Sequence, residues 1–214
     1  MGEYYPVLLD LRDKLAVVIG GGEVAERKIT SLLGSAAHVK VIAPVVSAGI
    51  DRLSSAGSLS VSRRRYARGD LEGAFLAIAA TGDEEINREV WEEAHDRGVL
   101  VNVVDAPQQC NFTLPATVKR GPLLLTVSTG GASPALSRAV RERLEEEFGP
   151  EYGTFATWLG EAREQVKSRY PGRREREQIW HRIVESDVLD MLRRGDVVGA
   201  RARFNDIVAR GGGG

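Results

Sequence analysis

The chain has 214 residues, 43% hydrophobic and 28% charged, with a formal net charge of −1. That is the composition of a soluble globular protein, either one sizeable domain with an appendage or two small domains. The near-neutral charge argues against a general nucleic-acid binder, and no apolar run reaches the roughly 18 residues needed to span a membrane.

Leu15–Ile19 reads as a buried strand that stops at Gly20, Gly21 and Gly22, and Glu23–Leu33 as a helix with Val24, Ile29, Leu32 and Leu33 at apolar positions. Gly20, Gly22 and Ala25 fit the pattern G-x-G-x-x-G/A. In it the first glycine permits the tight turn, the second lets a pyrophosphate approach the backbone, and the third small residue lets helix and strand pack closely. The N–H groups at the start of such a helix are free for phosphate oxygens, so a dinucleotide and redox chemistry are expected here. A glycine-rich turn without a ligand would show the same local pattern.

The second strand, Val39–Ala43, runs into Pro44 and Val45. No carboxylate stands at its tip to hold a ribose, and no arginine follows at once to take a 2′-phosphate, so this position leaves NAD and NADP open. A helix over Ser47–Ala56, a short strand over Leu59–Arg63, a buried strand over Ala74–Ala80, a helix over Glu84–Arg97 ended by Gly98, and a strand over Leu100–Val104 follow. This alternation implies right-handed βαβ units and an open parallel sheet, whose ligands sit at the carboxyl ends of its strands. Thr81, Gly82, Asn102 and Asp105 lie at two of those ends. Asp105 is the candidate catalytic residue, because a carboxylate beside the cofactor can accept a proton as hydride leaves the substrate; the alternative is an aspartate that caps the turn before Pro107.

The pattern then changes. Thr113–Lys119 and Leu123–Ser128 read as short strands joined around Arg120, Gly121 and Pro122, and Ser133 with Pro134 opens a helix to Phe148. Two strands and one helix cannot bury both their faces, so a partner subunit is expected to cover them. Residues 151–210 read as several helices broken at Tyr170–Gly172 and around Gly195, and 211–214 as a flexible tail.

Other side chains suggest less. The single cysteine, Cys110, excludes an intrachain disulfide and a Cys-rich zinc site, and beside Asn111 and Phe112 it reads as a small buried apolar group. His38, His95 and His181 are scattered, so no metal site is expected. Arg63, Arg64 and Arg65 form either a solvated edge or a basic patch. Lys119, Arg120, Arg138, Arg141 and Arg143 form a second basic set able to attract a polycarboxylate. Ser128, Gly130, Gly131 and Ser133 belong to a second glycine-rich loop entering a helix, which either cradles an anion or only caps that helix. Residues 1–7 lack a basic and long apolar leader, so a cytoplasmic location is expected.

Five stretches resemble one family in the family's own order: Pro6–Lys14, Val18–Lys28, Ala79–Asp83 with Asn87, Val101–Asp105 with Cys110–Phe112, and Ser128–Pro134. The chain resembles the precorrin-2 dehydrogenase family, also known as the siroheme synthase N-terminal module. The resemblance implies an α/β fold: a Rossmann-like parallel sheet over 1–113, a small α+β dimerisation region over 114–150, and a helical region over 151–210. It also implies a homodimer and NAD-dependent oxidation of precorrin-2 to sirohydrochlorin. Gly20, Gly21, Gly22, Glu23, Val24, Pro44, Val45, Thr81 and Asn102 are then expected at the cofactor, and Asp105 as the catalytic aspartate. Lys119, Arg120, Ser128, Gly130, Gly131, Ser133 and Arg138 are expected at the eight-carboxylate substrate. Some members also insert iron, so Fe²⁺ or Co²⁺ as a chelation substrate stays open. Uroporphyrinogen methylation is not expected of these 214 residues. A non-catalytic module that only senses NAD is the competing reading.

Overall fold

The computed structural model describes residues 4–210, and the expected tail over 211–214 lies outside them. Two compact units are present, Tyr5–Leu114 and 115–210, the second with Tyr4.

The first unit is built on five parallel strands: β1 (Leu15–Ile19), β2 (His38–Ile42), β3 (Ser60–Ser62), β4 (Leu76–Ala79) and β5 (Leu100–Val103), in the order β3-β2-β1-β4-β5. In register, Ala16 of β1 lies between Val39 and Leu76, and Leu76 faces Leu100. Strands covered on both faces read as continuous apolar runs, and β4 is buried at every residue. On one face Ala25, Ile29 and Leu32 of α1 (Glu23–Leu33) and Ile50 of α2 (Ala48–Ser55) pack on Ala16, Val18, Val41 and Ile78. On the other, Val90 and Ala94 of α3 (Glu84–Arg97) pack on Val17, Ile19, Ala77 and Val101. The chain turns away from β1 in opposite directions toward β2 and β4, which opens a crevice at the carboxyl end of β1.

β5 is an edge strand, and the segment after it satisfies its exposed backbone. The Val101 amide donates to Asn111 Oδ1 at 2.7 Å, and Asn111 Nδ2 donates to the Val99 carbonyl at 3.1 Å. The Cys110 sulfur accepts from the Val103 amide at 3.2 Å. These side chains blunt an edge that would otherwise pair with another chain.

The second unit opens with an antiparallel hairpin, β6 (Ala116–Arg120) and β7 (Leu123–Val127). Gly121, first of its two loop residues, takes φ +55°, as the primed turns that suit strand twist require. Five helices follow: α4 (Pro134–Glu147), α5 (Pro150–Arg169), α6 (Arg173–Val184), α7 (Val188–Arg193) and α8 (Val197–Arg210). Phe155 and Trp158 of α5 pack on Phe204 of α8, with ring centroids 6.5 and 5.8 Å apart, and Ile179 and Ile183 of α6 complete this core. α4 has no buried residue, and Val118 is the one buried residue of the hairpin. Among the described residues, no helix is long and apolar enough to cross a membrane.

The local reading of elements matches the structure to within a residue or two at most ends. The third strand is shorter than expected, Ser60–Ser62 rather than Leu59–Arg63. Gly149 and Pro150 end one helix and start the next, because proline fits a first helical turn that needs no N–H.

Candidate functional site

A groove of about 450 Å³ occupies the crevice at the carboxyl end of β1. Its walls are Gly20, Gly21 and Gly22 after β1, Ala43, Pro44 and Val45 after β2, Arg65 and Tyr66 after β3, and Thr81, Gly82, Asp83 and Ile86 after β4.

The three glycines have three different reasons to be glycine. Gly20 has φ +123°, and a Cβ there would lie 2.2 Å from the Ala80 carbonyl oxygen. A Cβ on Gly21 would lie 2.0 Å from the Val45 carbonyl oxygen. Both are demanded by the packing of backbone on backbone in the turn. Gly22 is different: its φ is −84° and a Cβ would meet nothing within 4 Å. Its lack of a side chain is not needed by the fold and leaves the helix entrance open.

That entrance is also uncapped. Gly22 supplies no side chain to the first amides of α1. The other two helices of this unit are capped, α2 by Ser47 and α3 by Asp83, whose carboxylate accepts from the Glu85 and Ile86 amides. Orphan N–H groups at a helix start, with the helix dipole behind them, suit a phosphate. The residues present therefore fit the pyrophosphate of a dinucleotide. Glu23 and Val24 stand exposed in the first turn of α1, beside the groove lining.

The walls are braced from behind. Asn87 Nδ2 donates to the Thr81 carbonyl at 3.1 Å, and Thr81 Oγ1 donates to Asn87 Oδ1 at 2.9 Å. Tyr66 donates its hydroxyl to Glu93, which is 1% exposed and also accepts from the Gly69 amide at 2.9 Å and from Arg97 at 2.6 Å. Burial pushes the Glu93 carboxyl up, but these three donors outweigh it and hold it below the usual range. Burial, followed by the Glu93 bond, pushes the Tyr66 phenol far up, so it stays a donor.

Asp105, in the turn just after β5, lies in the left-handed region, φ +62°, and is exposed. Aspartate is one of the few residues that tolerate this conformation. Among the described residues its carboxylate makes no hydrogen bond, so it does not cap the turn before Pro107. Lys28 of α1, absent from the expected site residues, is electrostatically coupled to it. Burial and then Arg27 push the Lys28 ammonium down, and Asp105 opposes them. No short-range motif marks this pair, because the two residues come from distant elements.

Other expected residues have local tasks. Asn102 does not line the groove; its Nδ2 donates to the Phe112 carbonyl at 3.1 Å, holding the segment that covers the edge of β5. Arg120 Nε donates to the Phe148 carbonyl at 2.8 Å and Nη2 to the Glu145 carbonyl at 3.1 Å, tying the hairpin to the end of α4. Arg138 pairs with Glu142 at 3.0 Å, and Arg141 with Glu142 and Glu145. The second basic set is thus largely neutralised, leaving Lys119 and Arg143 without ion pairs among the described residues. In the second glycine loop, Ser128 Oγ accepts from the Gly130 amide at 3.2 Å and Ser133 Oγ from the Leu136 amide at 3.1 Å. Gly130 and Gly131 take φ +62° and +88°. This loop caps its own helix.

Burial raises the pKa of the Cys110 thiol, in keeping with a packing role. Among the described residues, no group of three or more His, Cys, Asp or Glu side chains is placed to hold a metal ion. A separate hollow of about 640 Å³ in the helical unit is lined by Gln178, His181, Arg182, Glu185, Ser186 and Arg203, with no glycine turn or open helix start.

Comparison with known proteins agrees with this geometry. The family described as "Putative NAD(P)-binding" matches residues 7–116, "Sirohaem biosynthesis protein central" matches 120–147, and "Sirohaem synthase dimerisation region" matches 151–207. The dimerisation match thus falls C-terminal to the 114–150 segment to which self-association was assigned. The siroheme synthase of Chromobacterium violaceum is 39% identical over 210 residues, 98% of this chain and 45% of that protein. That of Methylococcus capsulatus is 40% identical over 193 residues, covering 90% and 41%. The chain therefore spans less than half the length of these curated relatives. The solved structure of SirC, a precorrin-2 dehydrogenase, superposes with a TM-score of 0.80 at 30% identity, covering 95% of this chain and 98% of that one. The chain belongs to the precorrin-2 dehydrogenase and siroheme synthase N-terminal module family.

Proposed function

We propose that the protein is an NAD-dependent dehydrogenase that oxidises precorrin-2 to sirohydrochlorin in siroheme biosynthesis. The single observation that carries the reading is the open, uncapped start of α1 at Gly22, in a groove at the switch point of the sheet. The full-length likeness to SirC supplies the substrate class.

When bound, NAD supplies the hydride acceptor. The protein's own part is binding, orientation and proton handling. The α1 amides and Gly22 would hold the pyrophosphate and Pro44 and Val45 the adenosine half, with Thr81 and Gly82 lining the groove after β4. Asp105, with an unengaged carboxylate at the tip of β5, takes the proton released as precorrin-2 loses two hydrogens, one as hydride to NAD and one as H⁺. Lys119, without an ion pair among the described residues, presents its charge to the substrate carboxylates.

Self-association belongs to the same reading. Residues 1–113 bind the dinucleotide, and 114–150, with no buried residue on α4 and Leu136 54% exposed, meet a second copy of the chain. The helices of 151–207 join them in the dimer, as the family match there supports.

Anaerobic incubation with enzymatically generated precorrin-2 and NAD, followed by NADH absorbance and the sirohydrochlorin spectrum, tests the proposal. NADH formed in step with sirohydrochlorin is expected. NAD bound without turnover would make the protein a nucleotide sensor. Adding Fe²⁺ or Co²⁺ afterwards tests chelation, scored as metal insertion faster than in a protein-free control.

A further inference from the structure

Three consecutive arginines follow β3, and the structure gives each a different situation. Arg63 pairs with Asp51. Arg64 makes two bonds, 2.6 and 2.5 Å, to the carboxylate of the buried Asp70, which that contact holds below the usual carboxylate range. Arg65 has no ion pair among the described residues and lines the groove beside Pro44 and Val45.

In sheets of this strand order, the tip of β2 normally carries the acidic residue that binds a ribose 2′-hydroxyl, and that charge repels a 2′-phosphate. Here the tip is Ala43, Pro44, Val45 and Val46. Asp83, which lines the groove after β4, caps α3, and Glu26 of α1 accepts from Ser47 at 2.5 Å. Glu23 is in the first turn of α1, on the pyrophosphate side. Arg65 therefore lines the groove with its charge unpaired among the described residues, and the tip of β2 carries no carboxylate to oppose a 2′-phosphate. A guanidinium binds phosphate through paired, charge-assisted hydrogen bonds.

Resting on the dinucleotide reading above, we infer that Arg65 reads the adenosine ribose and that the groove accepts a 2′-phosphorylated dinucleotide as well as NAD. Arg65 is thus the residue that sets cofactor specificity, a role filled in other sheets of this order from the tip of β2.

Isothermal titration of the full chain with NAD⁺ and with NADP⁺ tests this without turnover. Wild-type protein should bind NADP⁺ within about tenfold of NAD⁺, and Arg65→Gln should weaken NADP⁺ by about tenfold or more while moving NAD⁺ by less than about threefold. Arg63→Gln, which removes an arginine already paired with Asp51, should move neither. Wild-type protein that binds NAD⁺ but takes NADP⁺ about 100-fold more weakly would overturn the inference and leave the cofactor reading intact. Equal weakening of both nucleotides by Arg65→Gln would also overturn it. Binding of neither nucleotide to wild-type protein would overturn the cofactor reading itself and the inference with it.

Discussion

The two glycine-rich loops, Gly20–Gly22 before α1 and Ser128–Pro134 before α4, both enter helices, yet the helices treat their first amides in opposite ways. α4 is capped by Ser133, and Thr129 braces the loop through bonds of 3.0 Å to the Ser133 amide and 3.2 Å to Ser137. α1 has no side-chain cap, and its entrance glycine has open space where a side chain would go. A helix start whose donors are already satisfied has less to offer an anion. The difference teaches that a glycine-rich approach leaves the first amides of a helix free for an anion only when the capping position carries no capping side chain.

The largest effect should come from closing the open entrance. Gly22→Asp should reduce NAD binding below detection, because it places a negative charge and a competing cap at the α1 amides. The fold should persist, since φ at Gly22 is ordinary and a Cβ has room. Titration with NAD and a thermal melt check the two halves, and unchanged affinity would remove the contrast between the loops.

The support behind the first loop's groove should be next. Glu93→Ala strands the Tyr66 hydroxyl, the Gly69 amide and Arg97, and should cost about 3 kcal/mol in urea unfolding. The same carboxylate predicts a pH dependence. It is held below its ordinary value of 4.5, so its contribution is complete above that pH and is lost as pH falls through the lower folded value. The urea midpoint of the wild type should therefore drop below about pH 4.5, and Glu93→Gln should start lower and fall less steeply. Parallel curves for the two proteins would count against this account.

Asp105→Asn sharpens the distinction between holding a cofactor and doing chemistry. It should cut precorrin-2 oxidation by about 10²-fold or more with NAD affinity kept. Near-wild-type turnover would move the base elsewhere. The smallest effect belongs to the second loop: Ser133→Ala should cost about 1 kcal/mol of stability by uncapping α4, with NAD affinity unchanged. A loss of NAD binding in that variant would mean that both loops serve the cofactor.

Much of this was legible in the residue order. Apolar runs and 3.6-residue periodicity are local signals, so the strands and helices of the first unit were readable to within a residue or two. The glycine motif and the rule that such sheets bind at their carboxyl ends pointed to Gly20–Gly22 and Thr81, and the family resemblance pointed to Pro44 and Val45; all line the groove. Asn102 was less legible, because its partner is the Phe112 carbonyl ten residues on, and a polar residue at a strand tip looks the same whether it faces a ligand or its own chain. Arg120 is a similar case, held by carbonyls 25 and 28 residues away.

The sequence by itself determined the βαβ order, the glycine turn, the missing carboxylate after β2 and the family. These depend on neighbours in the chain, whose spacing is written in the residues. Only the tertiary structure decided which charges remain unpaired. Three adjacent arginines are equivalent until Asp51 and Asp70 arrive through the fold and leave Arg65 alone in the groove. Likewise Asp105 was a candidate base from its place in the sequence, but only the fold gave it a left-handed backbone and, among the described residues, no hydrogen-bond partner. Pairing depends on distance in space, and distance in space is set by the packing of the whole unit.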